Sequence, residues 1–405
     1  MEFSLNDFLI AVSFALDFVE MDRLGMKSNH GKRTAYITTC IAKKLNLSNE
    51  EIYDAAALAI FHDNGLSESN LYEALPEEWD MVSKFEASKG HCIIGEKNIK
   101  DYPFLTKSKD VLLYHHERYD GKGFFGIKGD KIPIMAQIIA AADSFENYFK
   151  NEETEYTREK IRTWIHRCEG GLLSPKIAKI LYEMAEEKTI WENLRDDRII
   201  NSLHDSIPLF QLELTLEEIR KITNVFSRIV DSKSNFTRRH SKGLAEKAAK
   251  MADYYKKDET EKTRLIIAAD LHDLGKLAVP NSILNSPRAL SDEEFELVKK
   301  HVYYTRVALQ NIRGFEDITE WASNHHEKLN GKGYPFGKTG KELDFNSRLM
   351  GCLDVYQALT EERPYRTGMS HRQAIKILFD MAGNGFIDPV ITSDIDRGFG
   401  DEINI

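Results

Sequence analysis

Cysteine, proline and long apolar runs are all scarce in this chain. Its four cysteines, Cys40, Cys92, Cys168 and Cys352, form no C-x-x-C pair. That excludes a disulfide scaffold or a thiolate zinc ribbon and leaves reduced thiols of a cytosolic protein as the expectation. No stretch of 18 apolar residues exists, so no membrane span is expected. The most apolar segment, MEFSLNDFLIAVSFALDFVE, carries Asp7, Asp17 and Glu20 and lacks a basic leading region. It reads as an amphipathic core helix, not a signal peptide. Basic residues are outnumbered, 55 against 65 acidic, for a net charge of −10. A protein gripping duplex nucleic acid would need a broad basic surface, so that class is set aside; a few local cations could still hold a small anion. Prolines number only 10 among 405 residues, and alternating β-branched segments are rare. Segments such as EEIYDAAALAIFHD, TRLIIAADLHD and HRQAIKILFDMA repeat their apolar residues near the helical period, so the fold is expected to be all-α. Short β-hairpins are expected only in GIKGDKIP and GKTGKELDF, where glycine and lysine interrupt the helices.

What the chain does have is histidine in a repeated pattern. His30, His62-Asp63, His91, His115-His116 and Asp143 recur as His240, His272-Asp273, His301, His325-His326 and Asp354. The histidines are offset by 210 residues throughout, and only the last carboxylate slips by one. Ten of the 13 histidines lie in this pattern. A repeat that preserves His and Asp while other residues drift is built around a metal site. It divides the chain into two tandem helical bundles, 1–200 and 201–405, with residues 190–212 carrying the passage between them.

In the second half, an apolar run ends in His272 and Asp273, presenting two ligands from a rigid base. Asp354 sits in the apolar segment RLMGCLDVYQAL, where an unpaired carboxylate would be costly. These imidazoles and carboxylates exceed what one tetrahedral ion takes and suit two ions sharing Asp273 or Asp354. The mixed donor set favours Fe or Mn, with Zn or Ni able to intrude. Such a pair can activate a water and hold a phosphoryl oxygen, which is chemistry for phosphoester hydrolysis. Lys276 follows the His272-Asp273 pair in HDLGK, Arg363 and Arg366 follow Asp354 in ERPYR, and the three would clamp phosphate oxygens.

The segments HSKGLAEKAAKMA, HDLGKLAVPNSIL, HHEKLNGKGYPFGKTGKEL, LDVYQALTEERPYR and FIDP closely resemble the HD-GYP family of the HD phosphohydrolase superfamily over roughly 211–392. The resemblance implies an all-α bundle, a di- or trinuclear metal centre, and hydrolysis of a cyclic dinucleotide, chiefly c-di-GMP, with 3′,3′-cGAMP in some members. It implies metal ligation by His272, Asp273, His301, His325, His326 and Asp354. Asp273 and Lys276 would be catalytic, and Lys276, Tyr334, Arg363 and Arg366 would bind substrate. His240, and His30 in the first half, are candidates for additional ligation. Phe236 stands where trinuclear members carry Glu, and Gln357 where the family commonly has Asp, leaving that carboxylate role unfilled.

The first half resembles the same family through HDNG, HHERYDGKGF and ADSFENY. It keeps the ligand positions His62, Asp63, His91, His115, His116 and Asp143, and at least one metal ion is expected there. It loses the clamp: Leu66 replaces Lys276, Glu152 and Glu155 replace the two arginines, and Gly123-Phe124-Phe125 replaces Gly-Tyr-Pro. A scaffold, pseudo-dimer partner or regulator is expected, with a signalling protein as a candidate partner. Two other readings stay open: an enzyme of this fold acting on another nucleotide or phosphoester, and a non-catalytic cyclic-dinucleotide receptor.

Overall fold

The computed structural model describes residues 2–24, 29–67, 81–148, 154–233, 240–362 and 367–400. Two compact units result, Leu5–Gln211 and Leu212–Ile405, the second joined by Met1–Ser4. The first contains α1 (Leu5–Leu24), α2 (His30–Lys44), α3 (Asn49–Phe61), α4 (Met81–Asn98), α5 (Ile134–Tyr148), α6 (Glu155–Cys168), α7 (Pro175–Glu186), α8 (Lys188–Asn193) and α9 (Ile199–Ser206). The second contains α10 (Leu216–Ser232), α11 (His240–Tyr254), α12 (Glu259–Leu271), α13 (Asn281–Leu284), α14 (Asp292–Leu309), α15 (Glu316–Ser323), α16 (Phe345–Thr360), α17 (His371–Gly383) and α18 (Pro389–Gly400). Two three-residue strands, β1 (Glu2–Ser4) and β2 (Gln211–Glu213), pair with each other, which is why the first residues belong to the C-terminal unit. The fold is otherwise helical.

The repeat is visible in the helices. Both α3 and α12 start at a side-chain cap: Ser48 accepts from Glu51 N, and Asp258 from Glu261 N. Each such cap contributes about 1 kcal/mol. Both are then buried on every side, over Ile52–Phe61 and Leu265–Leu271, and apolar there apart from Asp54 and Asp270. A helix apolar all round belongs at the centre of its bundle. Its end therefore delivers the next two residues into the interior, His62-Asp63 from α3 and His272-Asp273 from α12.

Glycine fixes the next step. A Cβ on Gly65 would overlap the carbonyl oxygen of His91, and one on Gly275 that of His301. Only glycine lets the turn after the His-Asp pair seat against the helix that carries the next histidine.

Three expectations are corrected. The units divide after Gln211, not at residue 200, because α9 buries Ile199 and Leu203 in the N-terminal bundle and Thr39 Oγ1 bonds Ser206 Oγ at 3.0 Å. The two expected hairpins do not form. GIKGDKIP holds a short 3₁₀ turn, Gly129–Lys131, and GKTGKELDF only an isolated bridge between Thr339 and Asn330. The buried carboxylates of Glu117 and Glu327 take backbone N–H groups that pairing would have used.

The N-terminal segment is helical, as expected. Phe8, Leu9 and Leu16 are buried, and buried Asp17 pairs with the equally buried Lys32. No described helix is long and apolar enough to cross a membrane.

Candidate metal centre

In the C-terminal unit, α11 contributes His240, the end of α12 His272 and Asp273, α14 His301, the segment after α15 His325 and His326, and α16 Asp354. Five parts of the chain thus meet at one place. The ligand atoms fall in two groups, His240-His272-Asp273 and His301-His325-His326, each with all atoms within 4.8 Å of one another. Two carboxylates reach across. Asp273 places Oδ2 3.1 Å from His272 Nε2 and Oδ1 3.3 Å from His301 Nε2. Asp354 places Oδ1 2.9 Å from His240 Nε2 and Oδ2 3.8 Å from His326 Nδ1.

The tautomers decide what this geometry requires. His272, His301 and His325 each turn Nδ1 to the carbonyl oxygen three residues back, of Ala269, Val298 and Ala322, at 2.7, 2.6 and 2.7 Å. A carbonyl can only accept, so Nδ1 carries the proton and the neutral ring's Nε2 is a bare lone pair. Those three Nε2 atoms and Asp273 Oδ1 are buried with no hydrogen-bond partner among the described residues. Lone pairs therefore face carboxylate oxygens, acceptor against acceptor, at little more than 3 Å. Such contacts are stable only with a cation between them, so the donor set fits divalent metal.

For His325 and His326 the charge states agree. Burial, reinforced by neighbouring imidazoles, holds His325 well below its ordinary value. His326, pushed down mainly by burial against the pull of Asp354, falls to about 3. Burial resists ionisation of Asp273, but His272 and Lys276 hold its carboxyl well below the usual range. His240 behaves differently: burial pulls it down, yet Asp354 and Glu361 raise it to about 10. Glu361 Oε2 lies 3.0 Å from His240 Nδ1. The carboxylate absent at Gln357 is thus supplied from one turn further on, while Gln357 itself bonds Glu361 and Lys247. In the first half Glu146, the counterpart of Gln357, does this directly, with Oε2 2.5 Å from His30 Nδ1 and Oε1 held by buried Arg33.

Lys276 stands where the sequence places it, its Nζ 2.5 Å from Asp273 Oδ2. Tyr334 lies against His326, ring centroids 4.9 Å apart. Its segment is held by Glu327, 6% exposed, whose Oε1 accepts from Phe336 N at 2.7 Å and Oε2 from Lys338 N at 2.9 Å. Glu117 does the same for Phe125 N and Ile127 N at 2.6 and 2.7 Å. Sequence pattern alone passes over both glutamates, although each directly follows a His-His pair. Arg363, Arg366, Phe236 and Glu152 lie outside the described residues.

The N-terminal unit repeats the arrangement with groups His30-His62-Asp63 and His91-Cys92-His115-His116. His62 Nδ1 and His115 Nδ1 are again tied to carbonyls three residues back, at 2.8 and 2.6 Å. His30 Nε2 lies 3.3 Å from Asp143 Oδ1, and His91 Nε2 3.4 Å from Asp63 Oδ1. Buried Leu66 occupies the position of Lys276. One expectation changes: Glu155 is 76% exposed and paired with Arg162 at 2.5 Å, so its charge is offset on the surface of α6 and cannot by itself repel a substrate. Cys92 is a bystander by sequence but lies within the cluster, and its place directly after a ligand histidine is the available clue.

The family described as HD domain matches residues 19–162 and 224–391, taking in all of both ligand sets. The chain is 30% identical over 403 residues to the 3′3′-cGAMP-specific phosphodiesterase 1 of Vibrio cholerae, covering 97% of this chain and 91% of that protein. It is 26% identical over 425 residues to the 3′3′-cGAMP-specific phosphodiesterase 3 of the same bacterium, covering 93% and 90%. A crystal structure of a cyclic GMP-AMP specific phosphodiesterase from V. cholerae superposes with a TM-score of 0.68 at 22% identity, covering 99% of this chain and 100% of that one, a likeness of fold.

Proposed function

Because the chain belongs to the HD domain family, we propose that it is a metal-dependent phosphodiesterase that opens a cyclic dinucleotide, and that its C-terminal half performs the chemistry. The observation that carries this reading is the meeting of the buried Nε2 atoms of His272, His301 and His325, none with a hydrogen-bond partner among the described residues, with Asp273 and the ammonium of Lys276. That combination offers metal ligands and a phosphate-binding cation together.

Two divalent ions suit the C-terminal set, Fe or Mn by donor type with Zn or Ni able to compete. His301, His325 and His326 would hold one side, His272 and His240 the other, with Asp273 and Asp354 reaching both. When bound, such ions supply an activated water and a Lewis-acid grip on a phosphoryl oxygen. The protein's own groups do the rest. Lys276 would bind a non-bridging phosphate oxygen and offset charge on the departing 3′ oxygen. Arg363 and Arg366 would complete the clamp. Tyr334, held on His326 by the Glu327 latch, would border the substrate. The first half would keep at least one metal ion and serve as scaffold or regulator, open to a signalling partner.

Both full-length relatives carry 3′3′-cGAMP in their names, so that dinucleotide is the first to test and c-di-GMP the second. Protein purified without oxygen should convert one of them to a linear product, and His272→Ala with Asp273→Ala should abolish the conversion. Turnover confined to other nucleotides or phosphoesters would refute the substrate class. Binding of cyclic dinucleotide without metal-dependent product would make the chain a receptor.

A further inference from the structure

The two units differ at one corner of their metal clusters. Cys92 occupies the repeat position of Val302. It is fully buried on α4, and its Sγ lies 3.7 Å from His91 Nε2. His91 Nε2 in turn lies 3.4 Å from His115 Nε2. With His116, the four donor atoms all fall within 4.8 Å of one another. A tetrahedral ion with M–N near 2.05 Å and M–S near 2.3 Å needs N···N edges of about 3.4 Å and S···N edges of about 3.6 Å. The two measured edges are close to both. His115 already has its tautomer set by the carbonyl of Leu112, so its Nε2 lone pair points inward. In the second half the matching trio His301, His325 and His326 meets an aliphatic Val302, leaving that corner without a protein donor from α14.

We propose that His91, Cys92, His115 and His116 form a closed tetrahedral zinc site, with Cys92 as a thiolate ligand. This rests on the reading that the N-terminal half binds metal. Three imidazoles and a thiolate are nitrogen and sulfur donors that suit zinc, and four protein ligands leave no position for a water. The thiolate biases the site away from the Fe or Mn suited to the all-nitrogen-and-oxygen centre of the other half. The N-terminal site would therefore be silent in catalysis by coordination alone. The competing arrangement uses Asp63, whose Oδ1 is 3.4 Å from His91 Nε2, as the fourth donor. Cys92 would then only donate its S–H to the imidazole.

The test uses the full-length protein, stripped of metal and reloaded with Co(II) alone. Among the described residues Cys92 is the cysteine grouped with histidines, so a sulfur-to-cobalt charge-transfer band in the near ultraviolet reports on it. Wild type should show the band. Cys92→Val, which copies Val302, should lose it, stay folded by circular dichroism and retain zinc about tenfold or more weakly against a chelator. Cys92→Ser should lose the band as well. Zinc-edge absorption of the zinc-loaded protein should show a sulfur neighbour at about 2.3 Å. If His115→Ala with His116→Ala lowers the metal stoichiometry but wild type shows no sulfur band, the thiolate assignment is overturned and the half remains a metal site. If that double substitution leaves the stoichiometry unchanged, the N-terminal half binds no metal and both readings fall.

Discussion

Removing the Glu327 carboxylate should disable turnover without emptying the metal centre. Glu327 is buried, and its two oxygens hold Phe336 N and Lys338 N, the amides shortly after Tyr334, which lies against His326. A hydrogen bond to a charged group contributes about 1.5–3 kcal/mol, so the pair contributes about 3–6 kcal/mol with the segment held in place. Phe336 is 44% exposed, so the freed amides can turn to water and the segment can open locally. We therefore expect Glu327→Ala to shift the closed-to-open balance by about 3 kcal/mol, roughly a hundredfold, with global stability falling by less. kcat/KM for the cyclic dinucleotide should fall by roughly that factor, while elemental analysis finds wild-type metal and amide exchange quickens at Phe336 and Lys338. Glu327→Gln should fall between, because its carboxamide keeps one acceptor but turns an NH₂ toward the second amide. The repeat supplies a control: Glu117→Ala removes bonds of the same kind and should speed exchange at Phe125 and Ile127 with little effect on turnover. Unchanged exchange protection in Glu327→Ala, or wild-type kcat/KM once protection is lost, would refute the latch.

Asp273→Ala should release metal and abolish product formation, since Asp273 faces both ligand groups; Asp63→Ala should leave most turnover intact, and a folded but inactive Asp63→Ala would contradict the division of labour. Gly275→Ala places a methyl on the His301 carbonyl and 2.8 Å from Thr305 N, so it should cost at least about 1–3 kcal/mol in denaturant unfolding and weaken metal retention. Glu320 gives a pH signature. Burial resists its ionisation, but hydrogen bonds from Arg306, Lys338 and Asn324 bring its carboxyl from 4.5 down to about 2. A depressed folded value means its contribution is complete above pH about 4.5 and is lost as pH falls toward 2. Partly exposed, it is expected to contribute no more than about 1 kcal/mol, and Glu320→Gln should flatten that part of the stability curve. Arg363→Glu should silence hydrolysis while metal content stays at the wild-type level, and retained turnover would remove Arg363 from the clamp.

The two bundles, the central apolar helices and the ligand positions could be read from residue order because each depends on local pattern: a hydrophobic period, a capping residue, a fixed offset between His-Asp pairs. The supports of the site could not be read this way. Glu361 meets His240 across 121 positions and Glu146 meets His30 across 116, and nothing in either segment marks the other. Gln357 reads as a missing carboxylate until Glu361, just past the end of α16, is seen to reach His240. Glu155 stands in the sequence where the second half has a clamp arginine, yet in the structure it pairs with Arg162 on the surface. The hairpins expected from glycine spacing give way to turns strung on Glu117 and Glu327.

The sequence by itself determined which atoms the site is made from, because a duplicated set of histidines and aspartates at the ends of buried helices can only converge if those helices pack around it. Tertiary structure alone decided how those atoms are used. It fixed the tautomers by aiming Nδ1 at backbone carbonyls, set ring nitrogens against carboxylates, and brought Cys92 into one cluster. The physical reason is that a donor's role depends on direction and on what lies within about 4 Å, and neither is a property of order along the chain.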